Sequence, residues 1–270
     1  MSVMRYASSL GLLTVCISLF SQTRTDLSIL ENDLLSDYNK ILEADLLGRD
    51  LQANDFYNSF AEKLAAPGSF DYPFDSLKNI GSVYSGDKAL RIFTWNIPVG
   101  LNDHLYFGIA MYHSGTKKDY VVVKLNNPVG INQLKKIGKW PGALYYEIIQ
   151  TKHAGQKYYT LLGFSFNNTL SNKKVIDVLS IDEFDELYFC KDLFYYEKKR
   201  SDRIEFIYNE KATMSLRFDG EKKMIIFDHL SPSKPSLTGK YEFYGPDFTY
   251  DGLKFEKGIW QHYPNIDITN

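Results

Sequence analysis

From about residue 79 onward, the chain is a series of short segments whose apolar residues recur at every second position. In ALRIFTWNI, for example, Leu90 and Ile92 alternate with Arg91 and Phe93. A period of two is that of a β-strand, and about ten to twelve such segments follow one another across short connections. The pattern has no helical stretches between them, which argues against βαβ units. The sequence therefore predicts a mainly β domain over residues 70–270, an antiparallel meander that closes into a barrel or folds into a sandwich.

Two of the connections carry hairpin signals. His153-Ala154-Gly155 separates two apolar runs, and Phe218-Asp219-Gly220 lies between two alternating segments. Glycine and aspartate tolerate the backbone angles of tight hairpin turns. We therefore expect the strands on either side of each turn to pair with each other.

Residues 25–68 follow a different period. Apolar residues recur three or four positions apart, Gly48 allows a break, and Pro67-Gly68 ends the segment. This predicts a short N-terminal helical segment of two helices, whose apolar face needs a packing partner. The face consists of Leu27, Leu30, Leu34, Leu35, Tyr38, Ile41 and Leu42 in the first helix and of Phe56, Tyr57, Phe60 and Leu64 in the second.

Residues 1–22 have the order of a secretory signal peptide. Arg5 supplies a positive charge, residues 6–20 are apolar or small, and Ser21-Gln22 opens a polar stretch. The apolar run is too short to span a bilayer comfortably. We expect cleavage, which leaves a mature periplasmic or secreted protein without a membrane span; an uncleaved anchor is the alternative.

After such cleavage Cys16 is lost and Cys190 remains alone. A single cysteine cannot form an intramolecular disulfide, so the exported domain depends on its apolar core. Cys190 ends the apolar run LYFC, which predicts a buried and unreactive thiol.

The charge and motif content exclude several kinds of function. The formal net charge of −2 gives no basic surface for nucleic acid. The densest basic run, Lys198-Lys199-Arg200, is flanked by Glu197 and Asp202 and is typical of a solvated hairpin tip. The sequence contains no P-loop, GxGxxG, HExxH, GxSxG or CxxC, and its histidines lack zinc-ligand spacing. We therefore predict no catalytic residue, metal site or cofactor.

The strongest local group of polar residues lies near the C-terminus. Asp228 and His229 end a predicted strand, while Asp247 and Asp251 occupy a loop that Pro246 stiffens. A carboxylate beside an imidazole suits acid–base chemistry, and oxygen ligands in a turn suit Ca²⁺. Turn capping by hydrogen bonds to the backbone is the structural alternative. Because consecutive elements of a meander tend to lie side by side, we predict that these four residues form a ligand-binding site.

Trp95 and Trp260 complete the predicted ligand site. A flat aromatic ring can bury the apolar face of a sugar, and the chain is 15% aromatic. Core packing is the alternative for both residues, because β-rich folds favour aromatic side chains.

The strings YSGDKALRIFTWN, GALYYEII, YYTLLGFSFNN and FYGPDFTYDGLKFEKGIW resemble a group of exported Bacteroidota proteins that has no assigned function. The resemblance covers about residues 70–270. It implies a Gram-negative envelope and brings no catalytic residue, cofactor or activity with it.

Three functions are compatible with this sequence. The first is a non-catalytic binding or interaction module for an unknown envelope ligand or protein, which the lack of catalytic motifs favours. The second is a hydrolase of envelope glycans that uses Asp228, Asp247 or Asp251 as acid and base, with two carboxyl groups facing an open cleft. The third is a structural subunit of an envelope complex, which an exposed apolar patch would indicate.

The signal-peptide hypothesis predicts that the exported protein begins near Gln22 or Thr23. N-terminal sequencing of protein recovered from the cell envelope or the medium measures this directly. A chain that keeps Met1, or one that stays in the cytoplasm, would contradict the hypothesis.

Overall fold

The structure is a computed structural model that describes residues 8–100, 103–115, 120–125, 140–189 and 192–268, and for residues 8–23 it describes the backbone alone. The chain divides into two compact units, Met1–Asn79 and Ile80–Asn270. Cys190 lies outside the described residues, so its burial stays a prediction.

The first unit contains two helices, α1 (Ser8–Glu43) and α2 (Arg49–Lys63). The break between them falls at Gly48, whose backbone N–H donates to Asp45 Oδ1 at 2.8 Å. The backbone of α1 begins upstream of the predicted start and runs without interruption past residue 25. Among the described residues, no helix has both the length and the apolar character that a membrane span requires.

The apolar stripe of α1 is narrower than the sequence predicts. Leu34, Tyr38 and Ile41 are buried, whereas Leu42 is exposed because it lies off this stripe. Tyr38 packs edge-on against Phe56 of α2, with ring centroids 5.5 Å apart. The apolar faces of the two helices therefore pack against each other, and each face finds its packing partner within this unit.

A buried carboxylate fastens the segment after α2 to α1. Glu31 Oε2 accepts a hydrogen bond from the Tyr72 hydroxyl at 2.8 Å, and its Oε1 accepts one from the backbone N–H of Ser76 at 2.6 Å. Both carboxylate oxygens are thus paired, which offsets the cost of burying the charge.

The described part of the second unit contains fifteen strands. In chain order the first eight are β1 (Gly81–Tyr84), β2 (Leu90–Pro98), β3 (His104–His113), β4 (Tyr120–Lys124), β5 (Leu144–His153), β6 (Gln156–Asn168), β7 (Ser171–Ile181) and β8 (Leu187–Phe189). The others are β9 (Phe194–Tyr196), β10 (Lys199–Ser201), β11 (Ile204–Asn209), β12 (Leu216–Asp219), β13 (Met224–Pro232), β14 (Tyr244–Glu256) and β15 (Ile259–Tyr263).

These strands form three sheets that stack like a sandwich, the second of the two predicted alternatives. The first sheet has the order β1-β2-β3-β4. The central sheet has the order β11-β7-β6-β5, with β8 paired to β7. The outer sheet has the order β10-β9-β15-β14-β13-β12. The mainly β, antiparallel prediction is confirmed, with one departure: β9 and β15 pair in parallel over two residue pairs.

Both predicted hairpins are present. β5 and β6 pair across Ala154-Gly155, whose φ angles of +48° and +86° suit a tight turn. β12 and β13 pair on either side of the turn that follows Asp219, whose Oδ1 accepts backbone N–H groups from Glu221 and Lys222.

The central sheet is buried on both faces. Leu161, Val175 and Leu179 pack with Leu90, Ile92 and Tyr112 of the first sheet. Their chain neighbours Leu162, Ile176 and Val178 pack with Phe194, Phe227 and Trp260 of the outer sheet. Successive residues of a strand point to opposite faces, so a strand between two apolar layers can bury apolar side chains at consecutive positions, as Leu161 and Leu162 do.

A three-layer arrangement predicts that neighbouring residues of β6 are equally sensitive to truncation. Leu161→Ala and Leu162→Ala should each lower the free energy of unfolding by about 2–5 kcal/mol, because each removes a fully buried side chain from a different layer. Urea denaturation measures the change, and Gln150→Ala on an exposed position of β5 serves as the control. A near-zero effect at either leucine would contradict the three-layer packing.

Candidate functional site

A cleft of about 300 Å³ opens at one end of the apolar layer between the central and outer sheets. Phe206 of β11 and Phe227 of β13 belong both to this layer and to the cleft wall. The predicted residues Asp228, His229 and Asp251 line the same cleft. The structure thus brings together three of the six residues that the sequence singles out.

An irregularity in the β13–β14 pairing shapes the cleft. Asp228 pairs with Tyr250, but Leu230 pairs with Pro246, so three residues of β14 lie opposite His229 alone. One of the three, Phe248, has a φ of +71° and is almost fully exposed. Bulges of this kind redirect side chains next to functional sites, and a left-handed backbone at a bulky residue is strained. The bulge therefore sets where His229 and the loop residues point.

A buried carboxylate holds two imidazoles at the base of the site. Asp251 is 2% exposed, and its Oδ2 lies 3.0 Å from His229 Nδ1 and 3.2 Å from His262 Nε2. The other oxygen, Oδ1, accepts the backbone N–H of Asn265 at 2.9 Å. Because an ionised carboxylate only accepts hydrogen bonds, both ring nitrogens that face it carry protons. Neutral His229 therefore presents an unprotonated Nε2.

These contacts lower the pKa of Asp251 and raise the pKa of His229. Burial acts to raise the pKa of Asp251, but hydrogen bonds from His262, His229 and Asn265 outweigh it and hold this pKa at about 2. The hydrogen bond to Asp251 raises the pKa of His229, with smaller contributions from the charges of Asp247 and Glu197. The pair is therefore a stable carboxylate beside an imidazole that titrates above its ordinary range.

Asp247 does not line the cleft but lies at its edge, with Oδ2 4.0 Å from His229 Nε2. Its Oδ1 accepts hydrogen bonds from the backbone N–H of Thr249 at 3.1 Å and from the Thr249 hydroxyl at 2.7 Å. Burial acts to raise its pKa, but these hydrogen bonds outweigh it and lower the pKa. Asp247 therefore caps a turn, as the structural alternative predicts, and also lies close to the His229 imidazole.

Asp228 lines the cleft and also forms a hydrogen bond that ties two segments of the backbone together. Its Oδ2 accepts the backbone N–H of Ser215 at 2.6 Å, and it still forms part of the cleft wall. The contact ties the end of β13 to the residue before β12, so Asp228 helps to hold the strand that carries His229.

Neither tryptophan of the predicted site reaches the cleft. Trp95 is fully buried and stacks on Phe107 at 5.5 Å, in the first sheet. Trp260 is 1% exposed, and its Nε1 donates to Thr160 Oγ1 at 2.9 Å inside the sandwich. Both rings pack in the core, which was the alternative to sugar stacking.

The sequence pattern gives no signal for several cleft residues. Tyr196 and Glu197 belong to the β9–β10 hairpin, which reaches the site because β9 pairs with β15. The sequence predicts that Lys198-Lys199-Arg200 lies at a hairpin tip, and β9 and β10 do form a hairpin there. Glu197, which precedes this basic run, lines the cleft. Tyr241 and Tyr244 come from the 3₁₀ turn Tyr241–Phe243 and the start of β14.

The 3₁₀ turn is held at the cleft by β11. Asn209 Nδ2 donates to the backbone carbonyl of Glu242 at 2.6 Å. The Tyr241 and Tyr244 rings lie 5.1 Å apart at 50°. Two aromatic rings thus form the outer edge of the cleft.

The cleft residues do not form a metal centre. In the part of the chain that the structure describes, no group of three His, Cys, Asp or Glu side chains is placed to hold a metal ion. Comparison with protein-family models, with curated proteins and with solved structures finds no match to the chain.

The Asp251–His229 pair predicts a pH-dependent effect of Asp251→Asn. A group with a raised folded pKa adds stability below its unfolded pKa and loses this contribution as the pH rises through the folded value. The variant should therefore lower the free energy of unfolding by about 2–3 kcal/mol at pH 6, and by less at pH 9. The pKa of His229 should fall towards its ordinary value of about 6.5.

Urea denaturation at the two pH values and NMR titration of the His229 ring measure both effects. Asp33→Asn, at an exposed position of α1, is the matched control. An unchanged His229 pKa in the Asp251 variant would contradict the assigned pair.

Proposed function

We propose that the protein is a non-catalytic binding module whose β unit holds a small ligand in the cleft. The observation that supports this most directly is the lining: acceptor groups and aromatic rings converge on one space of about 300 Å³. A concave site with apolar walls and a few placed polar groups is the usual form of a small-molecule site.

The lining favours a ligand that donates hydrogen bonds. Glu197, Asp228 and neutral His229 offer acceptor atoms, and Tyr196, Tyr241 and other rings offer apolar faces. A compact ligand with an apolar frame and N–H or O–H groups fits this chemistry. An anionic ligand would meet these carboxylates, and while His229 is neutral no described residue of the cleft lining offers it a cationic side chain.

A glycan hydrolase that uses Asp residues as acid and base is the less favoured proposal. Its general acid must hold a proton near neutral pH, which requires a raised carboxyl pKa. The pKa values of Asp247 and Asp251 are lowered instead. A binding role uses the same carboxylates as acceptors and needs no proton donor.

A structural subunit is the second candidate, supported by a different feature. Leu46, Leu47 and Leu51 are 53%, 95% and 69% exposed around the break between α1 and α2. Three exposed leucines so close in sequence favour a protein contact at this end of the helical unit.

Export to a Gram-negative envelope completes the proposal. It rests on the charged, apolar and polar order of residues 1–22 and on the resemblance to exported Bacteroidota proteins. The ligand would then be a periplasmic or extracellular small molecule.

The binding proposal predicts that Tyr241→Ala weakens ligand binding by about 2- to 12-fold, because an aromatic contact at the cleft edge contributes about 0.5–1.5 kcal/mol. A panel of sugars, ring-bearing alcohols, ring-bearing amines and carboxylates is screened on the full chain by NMR of the His229 ring. Tyr263→Ala is the matched control, since Tyr263 bonds Glu256 and does not line the cleft. If no compound perturbs His229, the cleft is not a binding site for these classes.

A further inference from the structure

We propose that the ligand of this cleft is an organic cation, an ammonium group on an apolar or aromatic frame, and that its binding displaces a proton from His229. This inference rests on the binding function proposed above and specifies the ligand class and its coupling to pH.

The charges that face His229 are mostly negative. Asp247 and Asp251 approach it from β14, and Asp228 precedes it on β13. Glu197 reaches the cleft from the β9–β10 turn and Glu205 from β11. Among the described residues that line the cleft, His229 alone has a basic side chain; Lys198-Lys199-Arg200 of the neighbouring hairpin do not line it.

Some of this negative charge is already paired. Glu205 Oε1 lies 3.2 Å from both Lys173 Nζ and Arg203 Nη1. His262 lies behind Asp251 and donates to it, but it does not line the cleft. Glu197 and Asp228 line the cleft and Asp247 lies at its edge, and we expect these carboxylates to attract an incoming cation.

Aromatic rings add a second and independent attraction. Tyr196, Tyr241 and Tyr244 line the cleft around the buried rings of Phe206 and Phe227. The face of an aromatic ring attracts a cation within about 6 Å of its centroid, and the rings also bury the apolar frame of the ligand. Acidic groups with aromatic walls are therefore better matched to an organic ammonium than to a neutral polyol or a metal ion.

Protonated His229 is the cleft's own cation. Its Nδ1–H donates to Asp251, and its side chain is 45% exposed with Nε2 towards Asp247. A ligand ammonium at the same carboxylates would lie beside the imidazolium, and two such cations repel each other. Ligand binding and protonation of Nε2 therefore compete, and the proton leaves to solvent when the ammonium enters.

The competition fixes the sign of the pH dependence. Apparent affinity is scaled by the fraction of protein in the competent state, here the one with neutral His229. Affinity for the cation should rise by about tenfold per pH unit below the His229 pKa and level off above it. A neutral ligand of the same shape should show no such increase.

The test uses benzylammonium and benzyl alcohol, which share a ring and differ in charge, on the full chain with labelled histidine rings. NMR titration gives the His229 pKa without probe and with each probe in turn. Benzylammonium should perturb the His229 ring and lower its pKa by a few tenths of a unit or more. Benzyl alcohol should leave the pKa unchanged. The exposed His153 ring, which does not line the cleft, reports on non-specific salt effects.

The outcomes separate this inference from the binding function. Equal binding of both probes with an unchanged His229 pKa would keep the binding site and overturn the cation inference. Benzylammonium binding with an unchanged pKa would overturn the proton coupling. If neither these probes nor any compound of the earlier panel perturbs His229, the binding function itself fails.

His229→Gln supplies a second readout. Glutamine can still donate to Asp251 but does not titrate, so benzylammonium binding should become independent of pH between about 5 and 8, where the probe itself stays charged. His153→Gln should keep the wild-type pH dependence. A pH dependence that survives in His229→Gln would assign the coupling to another group and overturn the role of His229.

Discussion

The β unit depends on a central sheet that packs apolar side chains on both of its faces. Because neither face of β6 or β7 is open to solvent, a polar side chain buried there must find its hydrogen-bond partners within the protein. Asp177 on β7 is nevertheless buried, and its carboxylate is paired with Arg203 Nε at 2.6 Å and with the Tyr145 hydroxyl at 2.5 Å. The same tyrosine hydroxyl accepts from Trp140 Nε1 at 2.9 Å, so one network satisfies the charge and joins β5, β7 and the residue before β11. A lone carboxylate at this position would destabilise the stack.

Much of the fold follows from local pattern. The change of period near residue 70 separates the helical segment from the strands, and the turn residues at Ala154-Gly155 fix a hairpin register. The division into three sheets does not follow, because consecutive apolar residues such as Leu161 and Leu162 give no sign of which layer covers each face of the strand. The parallel contact of β9 with β15 joins residues that lie more than sixty positions apart, and no local period encodes such a contact.

In the candidate site, too, some residues come together as the local sequence pattern predicts, and others do so only through long-range contacts. Asp228, His229 and Asp251 come together because β13 and β14 are consecutive and antiparallel, which the strand order predicts. Glu197 and Tyr196 reach the cleft because β9 pairs in parallel with β15. Tyr241 lies on the 3₁₀ turn, which a hydrogen bond from the Asn209 side chain holds in place. Aromatic content alone could not separate Trp260 from Tyr241, since both are large rings near polar residues in the sequence. Burial separates them, and burial depends on the stacking of the sheets.

The position of Asp251 links the site to the core. Asp251 lies two positions before Leu253 on β14, and residues two apart in a strand point to the same face. Its side chain therefore points towards the apolar layer that Leu253 helps to form. An apolar residue there would extend the layer without the cost of desolvating a charge, and such replacements of buried ionic groups are often neutral or stabilising. The carboxylate is instead satisfied by two imidazoles and a backbone N–H, and it fixes the proton on His229 Nδ1 so that Nε2 remains available to the cleft. The buried carboxylate is therefore better explained by its effect on His229 at the cleft than by a contribution to the stability of the apolar layer.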